Sequence, residues 1–302
     1  MKIILAGGSG FIGRRLIQKL ATARHVVVLL TRNPAAVHLE AWPSVKLTQW
    51  DAKSSGLWAK ELDGADAVIN LAGETLAKRW SSRQKERIVN SRIDATRALV
   101  GAVRQAQHKP SVFINGSAVG FYGDVPNDPV PETHPRGVGF LSDVCERWES
   151  EARKAEECGV RVVMLRTGPV LGSDGGALQK MALPYKLFVG APLGSGRQWF
   201  PWIHRDDVVR VIQLALEKSD LAGPINLVAP DSVTMKQFCD QLGRTLHRPS
   251  WPPVPAFVIR LALGEMAGML LTGQRVVPSK LIEHGYSFRH PKLDDALRNI
   301  FS

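Results

Sequence analysis

The chain has 302 residues, 44% of them hydrophobic, which is enough for one large domain or two smaller ones around a sizeable core. There are 39 Lys and Arg residues against 28 Asp and Glu residues, a formal net charge of +11 that suits anionic small molecules. The cations are scattered and form no basic tail or block, which argues against nucleic acid as a partner. We therefore expect a small-molecule substrate, and the charge is compatible with an anionic one.

The cysteine content indicates neither a disulfide framework nor a zinc site. Cys145, Cys158 and Cys239 are odd in number and far apart in the sequence. This usage fits a reducing compartment, so we expect a cytoplasmic protein with no metal.

No segment of the sequence is typical of a targeting peptide or a membrane span. The apolar run at residues 3–6 is too short for a signal peptide and leads directly into glycines. Residues 255–271 are the most apolar long stretch, but Arg260 and Glu265 interrupt it. We predict a packed or subunit-contact helix there and no membrane partner; the sequence leaves the oligomeric state open.

Short apolar runs alternate with longer segments of helical periodicity through the first half of the chain. The predicted strands are 2–6, 25–31, 45–49, 67–71, 111–115 and 160–165, and the predicted helices are 11–21, 81–107 and 143–157. These strands are apolar on both faces, as buried parallel strands are. The alternation predicts right-handed βαβ units and an α/β fold with a Rossmann-type, doubly wound parallel sheet.

The pattern loosens after Gly168. Residues 172–201 are rich in Gly and Pro, a helix is predicted over 206–217, and a late strand over 224–227. From residue 229 onward the pattern is mainly helical, with a proline-rich hinge at 249–255. We predict a dinucleotide-binding domain over 1–228 with a substrate-loop insertion at about 172–205, a smaller helical C-terminal lobe over 229–302, and a substrate cleft between them.

A glycine-rich loop joins the first predicted strand to the first predicted helix. Gly7, Gly10 and Gly13 have the spacing of a dinucleotide loop, and Phe11 and Ile12 complete the turn. The first glycine allows a tight turn, the second lets the backbone approach a diphosphate, and the third permits close helix packing. Free N–H groups and the positive end of the helix dipole would then face the phosphates.

The end of the second predicted strand favours NADP(H) over NAD(H). An NAD site usually carries Asp or Glu there to bind the ribose hydroxyls, whereas this chain has Thr31 and Arg32. A guanidinium suits the additional 2′-phosphate of NADP(H). The alternative is a surface arginine that follows a strand.

Further motifs resemble those of the extended short-chain dehydrogenase/reductase superfamily. Besides the glycine loop, these are Asn-Leu-Ala-Gly-Glu at 70–74, Arg-Ile-Asp-Ala-Thr at 92–96, a Ser-containing turn ending in Tyr-Gly at 116–123, Arg-Thr-Gly-Pro-Val-Leu-Gly at 166–172, and the loops 194–198 and 202–207. The set, with Trp148-Glu149 and residues 273–278, is similar to an atypical branch called the epimerase family, across essentially the whole chain. The resemblance implies NADP(H) and, as its contacts, Thr31, Arg32, Leu71, Ala72, Gly73, Arg92, Pro169 and Val170.

The Tyr-x-x-x-Lys pair that typical superfamily members use for acid–base chemistry is missing. The chain has the tyrosines Tyr122, Tyr185 and Tyr286, and none is followed by lysine four residues later. Counting back from Arg166 places Leu141 and Cys145 at the two positions, whereas counting forward from the strand-five turn places Cys145 and Glu149 there. The position of the usual serine falls on Ala118, next to Ser117.

Two interpretations of the missing pair stay open. In the first, the protein is an oxidoreductase or epimerase with a substituted acid/base, and the candidates are Ser117, Tyr122, Cys145, Glu149 and His204. A cation that lowered the pKa of Cys145 would make this thiol a proton donor. In the second, the fold is a non-catalytic NADP(H)-binding, redox-sensing or interaction module, Cys145 is a small buried helix residue, and Glu149 faces solvent or pairs with Arg153.

The glycine- and proline-rich stretch in the second half supplies substrate candidates. Arg197, Trp199 and Trp202 suit a planar or anionic substrate. The alternative is that both tryptophans cover the core between the lobes. Asp206 and Asp207 open the next predicted helix and are interpreted as its N-cap and first-turn charge.

Overall fold

The structure is a computed structural model that describes residues 1–37, Trp42 and residues 44–302. The strands are β1 Lys2–Ala6, β2 Val26–Thr31, β3 Val45–Gln49, β4 Ala67–Asn70, β5 Val112–Ala118, β6 Val125–Val130, β7 Arg161–Thr167, β8 Val170–Leu171, β9 Trp199–Phe200, β10 Ile203–His204, β11 Gly223–Leu227, β12 Val233–Thr234 and β13 Gln274–Val276. The helices are α1 Phe11–Thr22, α2 Ser82–Gln105, α3 Phe140–Arg153, α4 Gly176–Lys186, α5 Arg205–Glu217, α6 Met235–Leu246, α7 Ala256–Leu263, α8 Gly268–Leu271, α9 Ser279–Glu283 and α10 Leu293–Phe301.

Seven strands form one parallel sheet in the order β3-β2-β1-β4-β5-β7-β11. The chain moves outward from β1 to β3 and then returns to the other side of β1 with β4, so the sheet has a switch point between β1 and β4. Ligands of doubly wound sheets bind at the carboxyl ends of the strands at such a point. The predicted Rossmann-type sheet is confirmed, with strand bounds that differ by at most a few residues.

Helices cover both faces of the sheet because its strands are apolar on both sides. On one face, Leu16 and Leu20 of α1 and Ile212 of α5 join a core with the sheet residues. On the other, Leu99 of α2 and Ala152 of α3 pack against the opposite side chains of the same strands.

The prediction for α3 was wrong at its start: the helix begins at Phe140, after a glycine with positive φ at position 139, rather than at residue 143.

The C-terminal region is mainly helical, and its core lies among α4, α6 and α10. Tyr185, Phe238 and Leu297 are buried together there. The helix predicted over 255–271 is shorter and less packed than expected, because α7 ends at Leu263 and leaves Phe257 and Leu261 70% and 81% exposed. Among the residues that the structure describes, no helix is both long enough and apolar enough to cross a membrane.

Candidate functional site

The glycine loop forms a close-packed backbone cradle at the carboxyl end of β1. Gly7 has φ +79, and a Cβ there would lie 2.5 Å from the backbone of Leu71. A Cβ on Gly13 would lie 2.4 Å from the Cα of Gly8, so α1 packs directly on the loop. Gly10 is different. Apart from its own chain neighbours, the one atom of the described residues that would lie within 4 Å of a Cβ there is the Gly7 carbonyl oxygen. The cradle is therefore closed behind Gly7 and Gly13 and open at Gly10.

The first turn of α1 is prepared for an anion. Gly10 is the N-cap residue, so the amides of Phe11, Ile12 and Gly13 begin the helix without partners four residues earlier. No acidic side chain occupies this turn. The N–H groups and the helix dipole thus favour a negative group at the open side of Gly10, and a dinucleotide diphosphate fits this donor set.

Most of the other predicted cofactor contacts follow neighbouring strands at the same edge of the sheet. Thr31 is buried at the end of β2, and its hydroxyl accepts a hydrogen bond from the Asn33 amide at 3.3 Å, while Arg32 between them is exposed. After β4, the chain passes through Leu71 and Ala72 beside the glycine loop. The fold therefore brings these segments to the switch point.

Arg92 lies over this second segment. A Cβ on Gly73 would be 3.1 Å from the Arg92 guanidinium carbon, and Nη1 of Arg92 donates to the carbonyl of Glu74 at 3.1 Å. The guanidinium also lies 5.2 Å from the ring centre of Trp148. Burial lowers the pKa of Arg92. One face of a largely buried cation is thus held beside the predicted cofactor segments by backbone and aromatic contacts.

The segment after β7 reaches the glycine loop through the ring of Phe11. A Cβ on Gly172, Gly175 or Gly176 would lie within 3 Å of that ring, so only glycines allow this packing. Pro169 and Val170 precede this turn, and the Val170 carbonyl oxygen would lie 3.0 Å from a Cβ at Gly176. The structure thus brings the two ends of the predicted cofactor site into contact.

Arg205 lies on the other side of the Phe11 ring and was not predicted as a site residue. Its guanidinium is 4.7 Å from the ring centre, and it forms an ion pair with Asp174. The Nε atom of Arg205 is buried and has no hydrogen-bond partner among the described residues. The side chain therefore retains a donor close to the start of α1.

A buried amide and hydroxyl network fixes the strands beneath the site. The side-chain amide of Asn70 donates to Thr96 at 2.9 Å and to Asn115 at 2.8 Å, and its oxygen accepts from the Ala72 amide at 3.1 Å. The indole N–H of Trp148 donates to the same Thr96 hydroxyl at 2.9 Å. Because every member is buried and bonded, the network fixes the chain at Ala72 rigidly relative to β5 and α3.

Two of the predicted catalytic residues, Glu149 and Ser117, belong to a buried network around the ion pair of Glu149 with Arg166. Glu149 is 0% exposed and accepts two hydrogen bonds from Arg166, at 2.8 and 2.9 Å. Ser117 donates to the same carboxylate at 2.7 Å, and Arg153 at 3.1 Å. The prediction that Glu149 faces solvent was wrong, because the Arg166 charge in β7 compensates the carboxylate inside the protein; the alternative pairing with Arg153 is confirmed.

Tyr122 belongs to the same network on the other side of Arg166. Its hydroxyl accepts from Arg166 Nη1 at 2.9 Å and donates to the side-chain oxygen of Asn226 at 2.6 Å. Burial raises the pKa of Tyr122 to about 12. Asn226 in turn donates to the backbone of Val277 at 2.9 Å, which links the sheet to the C-terminal region. The phenol is therefore a fully bonded structural group.

Cys145 lies on the inner face of α3 and is 3% exposed. Burial, followed by the nearby Glu149 carboxylate, raises the pKa of Cys145 to about 12. The hypothesis that a cation lowers this pKa was wrong, because desolvation and an anion outweigh the effect of Arg92. The interpretation of Cys145 as a small buried helix residue agrees with this burial.

His204 is the N-cap of α5, and the prediction that Asp206 or Asp207 caps this helix was wrong. The Nδ1 atom of His204 accepts from the Asp206 amide at 3.1 Å, and its ring lies 4.0 Å from that of His290. Burial, followed by the charge of His290, lowers the pKa of His204 to about 4. Asp207 is buried and accepts from the Arg289 and His290 amides at 2.7 and 3.0 Å.

The three predicted substrate residues are not brought together. Trp202 is 1% exposed, and its indole N–H donates to the Asp231 carbonyl at 3.0 Å, so it packs in the C-terminal core. Trp199 is half-buried and donates to the Pro126 carbonyl at 2.9 Å, whereas Arg197 is exposed. The alternative interpretation, in which the tryptophans cover the core, therefore holds for Trp202.

Comparison with known proteins agrees with this architecture. The sequence model of the NAD dependent epimerase/dehydratase family matches residues 3–228, which is most of the chain. The chain belongs to this family. A second model, described as a domain of unknown function (DUF1731), matches residues 254–300. The resemblance to the epimerase family that the motifs indicated is confirmed.

Similar proteins span the whole chain. The chloroplastic homolog of epimerase family protein SDR39U1 from Arabidopsis thaliana is 40% identical, with 99% of this chain and 86% of that protein covered. Epimerase family protein YfhF of Bacillus subtilis is 37% identical, with 100% and 98% covered. The crystal structure of human epimerase family protein SDR39U1 with NADPH has a TM-score of 0.87 and 34% identity, with 100% of this chain and 99% of that chain covered.

Proposed function

We propose that this protein binds NADP(H) at the carboxyl ends of β1, β2, β4 and β7. The observation that carries the proposal is the open cradle at Gly10, where free helix amides begin a first turn that has no acidic side chain. The human relative that shares 34% of the sequence was solved with NADPH, which supports the same cofactor here. The bound nicotinamide would supply or accept a hydride, and the chain would hold the diphosphate at α1.

Arg32 is the proposed determinant of NADP(H) over NAD(H). Its exposed guanidinium at the end of β2 would bind the 2′-phosphate, and Arg32→Ala should weaken NADPH binding by about 10-fold or more. NADH binding should change little, because NADH lacks that phosphate. Isothermal titration of both nucleotides into both proteins measures the effect, and equal NADPH affinity of the two proteins would contradict the assignment.

For the reaction, we propose cofactor binding without acid–base catalysis by the predicted side chains. Ser117, Tyr122, Cys145, Glu149 and His204 are all buried, and four of them are held in hydrogen bonds that satisfy structural neighbours. Cys145 has a raised pKa, so it is a poor proton donor at neutral pH. The second candidate is an oxidoreductase or epimerase with a substituted acid/base, which membership of the family favours.

Turnover separates the two candidates. We expect no loss of NADPH absorbance when the protein is mixed with carbonyl compounds, and no new product from nucleotide sugars. Turnover that is present in the wild-type protein and lost in Cys145→Ser would support the second candidate instead. Tight NADPH binding in the same preparation is the control that shows the site is intact.

We also propose the division of the chain into a cofactor domain at 1–228 and a C-terminal lobe at 229–302. The end of the family match at residue 228 supports this boundary. A small-molecule substrate would then bind where the lobes meet. A cytoplasmic location is the accompanying proposal, supported by cysteines that are all free.

A further inference from the structure

We propose that the predicted substrate-loop insertion and the C-terminal lobe together carry a docking surface for membranes with anionic lipids. The centre of this surface, here called the apolar tip, consists of Leu187, Phe188, Val189 and Trp251. These side chains are 63%, 55%, 64% and 55% exposed, respectively. The proposal concerns association with the lipid surface, and it does not depend on the proposed cofactor.

The apolar tip is one structural unit. The Phe188 amide donates to the Tyr185 carbonyl at 2.9 Å and thereby ends α4. The indole N–H of Trp251 donates to the Phe188 carbonyl at 2.7 Å, and its amide donates to the Gly190 carbonyl at 2.9 Å. Two segments that lie far apart in the sequence therefore present their large apolar side chains together.

Phe188 occupies a backbone conformation that is unfavourable for its side chain. Its φ is +63, the left-handed region in which a helix usually ends with glycine. A bulky residue normally occurs there only when its side chain has another use, such as packing or binding. The ring of Phe188 is more than half exposed, so burial within the chain does not compensate this strain. The strain points to a partner outside the chain.

The uncompensated charge around the apolar tip is positive, because Asp240 beside it is paired with Lys236. Residues 175–205 and 241–264, which supply the tip and its surroundings, contain no Asp or Glu. Lys186 precedes Leu187 and is exposed, and the Arg248 guanidinium lies 4.3 Å from the ring centre of Phe188. Lys186, Arg244 and Arg248 are here called the basic rim. An anionic surface complements this charge.

A shallow cavity beside the tip provides room for a phosphate group. It has a volume of about 540 Å³ and is lined by Asp240, Gly243, Arg244, His247, Arg248 and Ser250. The Nε atom of Arg248 is buried without a partner among the described residues, and Asp240 is paired with Lys236 at 2.5 Å. Arg248, which lines the cavity, therefore keeps one guanidinium donor without a partner among the described residues, while the one carboxylate of the lining is already compensated.

A lipid surface matches these features better than a second copy of the chain does. In a two-fold symmetric contact the basic rim would face its own copy, so like charges would oppose each other. At a bilayer surface, tryptophan and phenylalanine lie at the headgroup level and arginine or lysine binds the phosphates. The expectation of no membrane partner rested on the absence of a long apolar segment, a criterion that does not detect a surface built from two short ones.

Vesicle binding tests the proposal with the full chain. We expect the wild-type protein to sediment with vesicles of phosphatidylcholine and phosphatidylglycerol, and to stay in solution with phosphatidylcholine alone. Phe188→Gly should reduce the partition coefficient about 10-fold, because the ring is lost. Its unfolding temperature should not fall, because glycine relieves the left-handed strain. Leu57→Ser is the matched apolar control, since Leu57 is 82% exposed on the N-terminal domain.

A charge-reversal pair tests the basic rim in the same assay. Lys186→Glu with Arg244→Glu should reduce binding at least about 10-fold, whereas Lys53→Glu with Lys60→Glu, which has the same net charge, should reduce it much less. Fluorescence quenching by brominated lipids should be weaker in Trp251→Phe than in the wild type.

Equal binding of the tip and control variants would overturn the proposal. A concentration-dependent dimer that Phe188→Gly abolishes, without vesicle binding, would assign the surface to self-association and overturn it as well.

Discussion

Gly10→Ala is expected to weaken NADPH binding by about 10- to 100-fold while the protein remains folded. The added methyl group would lie 3.2 Å from the Gly7 carbonyl oxygen and would otherwise point into the open side of the cradle. A small shift of the backbone tolerates the first contact, but the methyl group occupies the space through which a diphosphate would approach the helix amides. The loss corresponds to about one charge-assisted hydrogen bond.

The measurement is calorimetric titration of NADPH, with thermal unfolding recorded for the same samples. Gly101→Ala is the matched control, because a Cβ at this position in α2 would meet nothing within 4 Å. That control should bind NADPH like the wild type and be about 0.5–1 kcal/mol more stable, since alanine favours helix. Unchanged affinity of Gly10→Ala would show that the diphosphate does not bind at this cradle.

The sheet and its candidate cofactor edge were predictable because they depend on local patterns. A buried parallel strand needs a continuous apolar run, and β1, β2 and β4 each contain one. The glycine loop is also local, because the turn, the N-cap and the first helix amides lie within seven residues. Its neighbours at Leu71 and Ala72 were implied by the family resemblance, and the sheet brings them to the loop because the ends of parallel strands meet at one edge.

The polar interior could not be predicted, because its partners come from distant segments. The periodicity of α3 gave no sign that Glu149 points inward, since a glutamate on a helix is normally solvated. The one local signal was Arg166, a charged residue within an apolar strand, which requires a buried counter-ion. Neither residue alone identifies the other, and the pair forms only when α3 packs beside β7. The N-cap role of His204 was missed because aspartate is the commoner cap.

Arg166→Met is expected to have the largest effect on stability of any single replacement discussed. The change leaves the fully buried Glu149 carboxylate with Arg153 and Ser117 but without its bidentate partner. It also removes a donor to Tyr122. Breaking such a buried pair typically costs about 3–5 kcal/mol, because a poorly compensated charge stays inside the protein. Urea unfolding at constant pH measures this loss.

Two further variants separate the ion pair from simple loss of packing. Arg97→Ala removes a surface partner of Glu151. The Nε atom of Arg97 lies 3.3 Å from the Glu151 carboxylate and the Arg97 side chain is 60% exposed, so the change should cost less than about 1 kcal/mol. Glu149→Met combined with Arg166→Met should be more stable than Arg166→Met alone, because two apolar side chains no longer bury a lone charge. If the double variant were less stable than the single one, the cost would arise from lost volume and from the unsatisfied Ser117 hydroxyl rather than from Glu149. The network would then contribute to the fold through packing, and the charge of Arg166 would have to be explained by another partner, the backbone carbonyl of Glu132 at 3.1 Å.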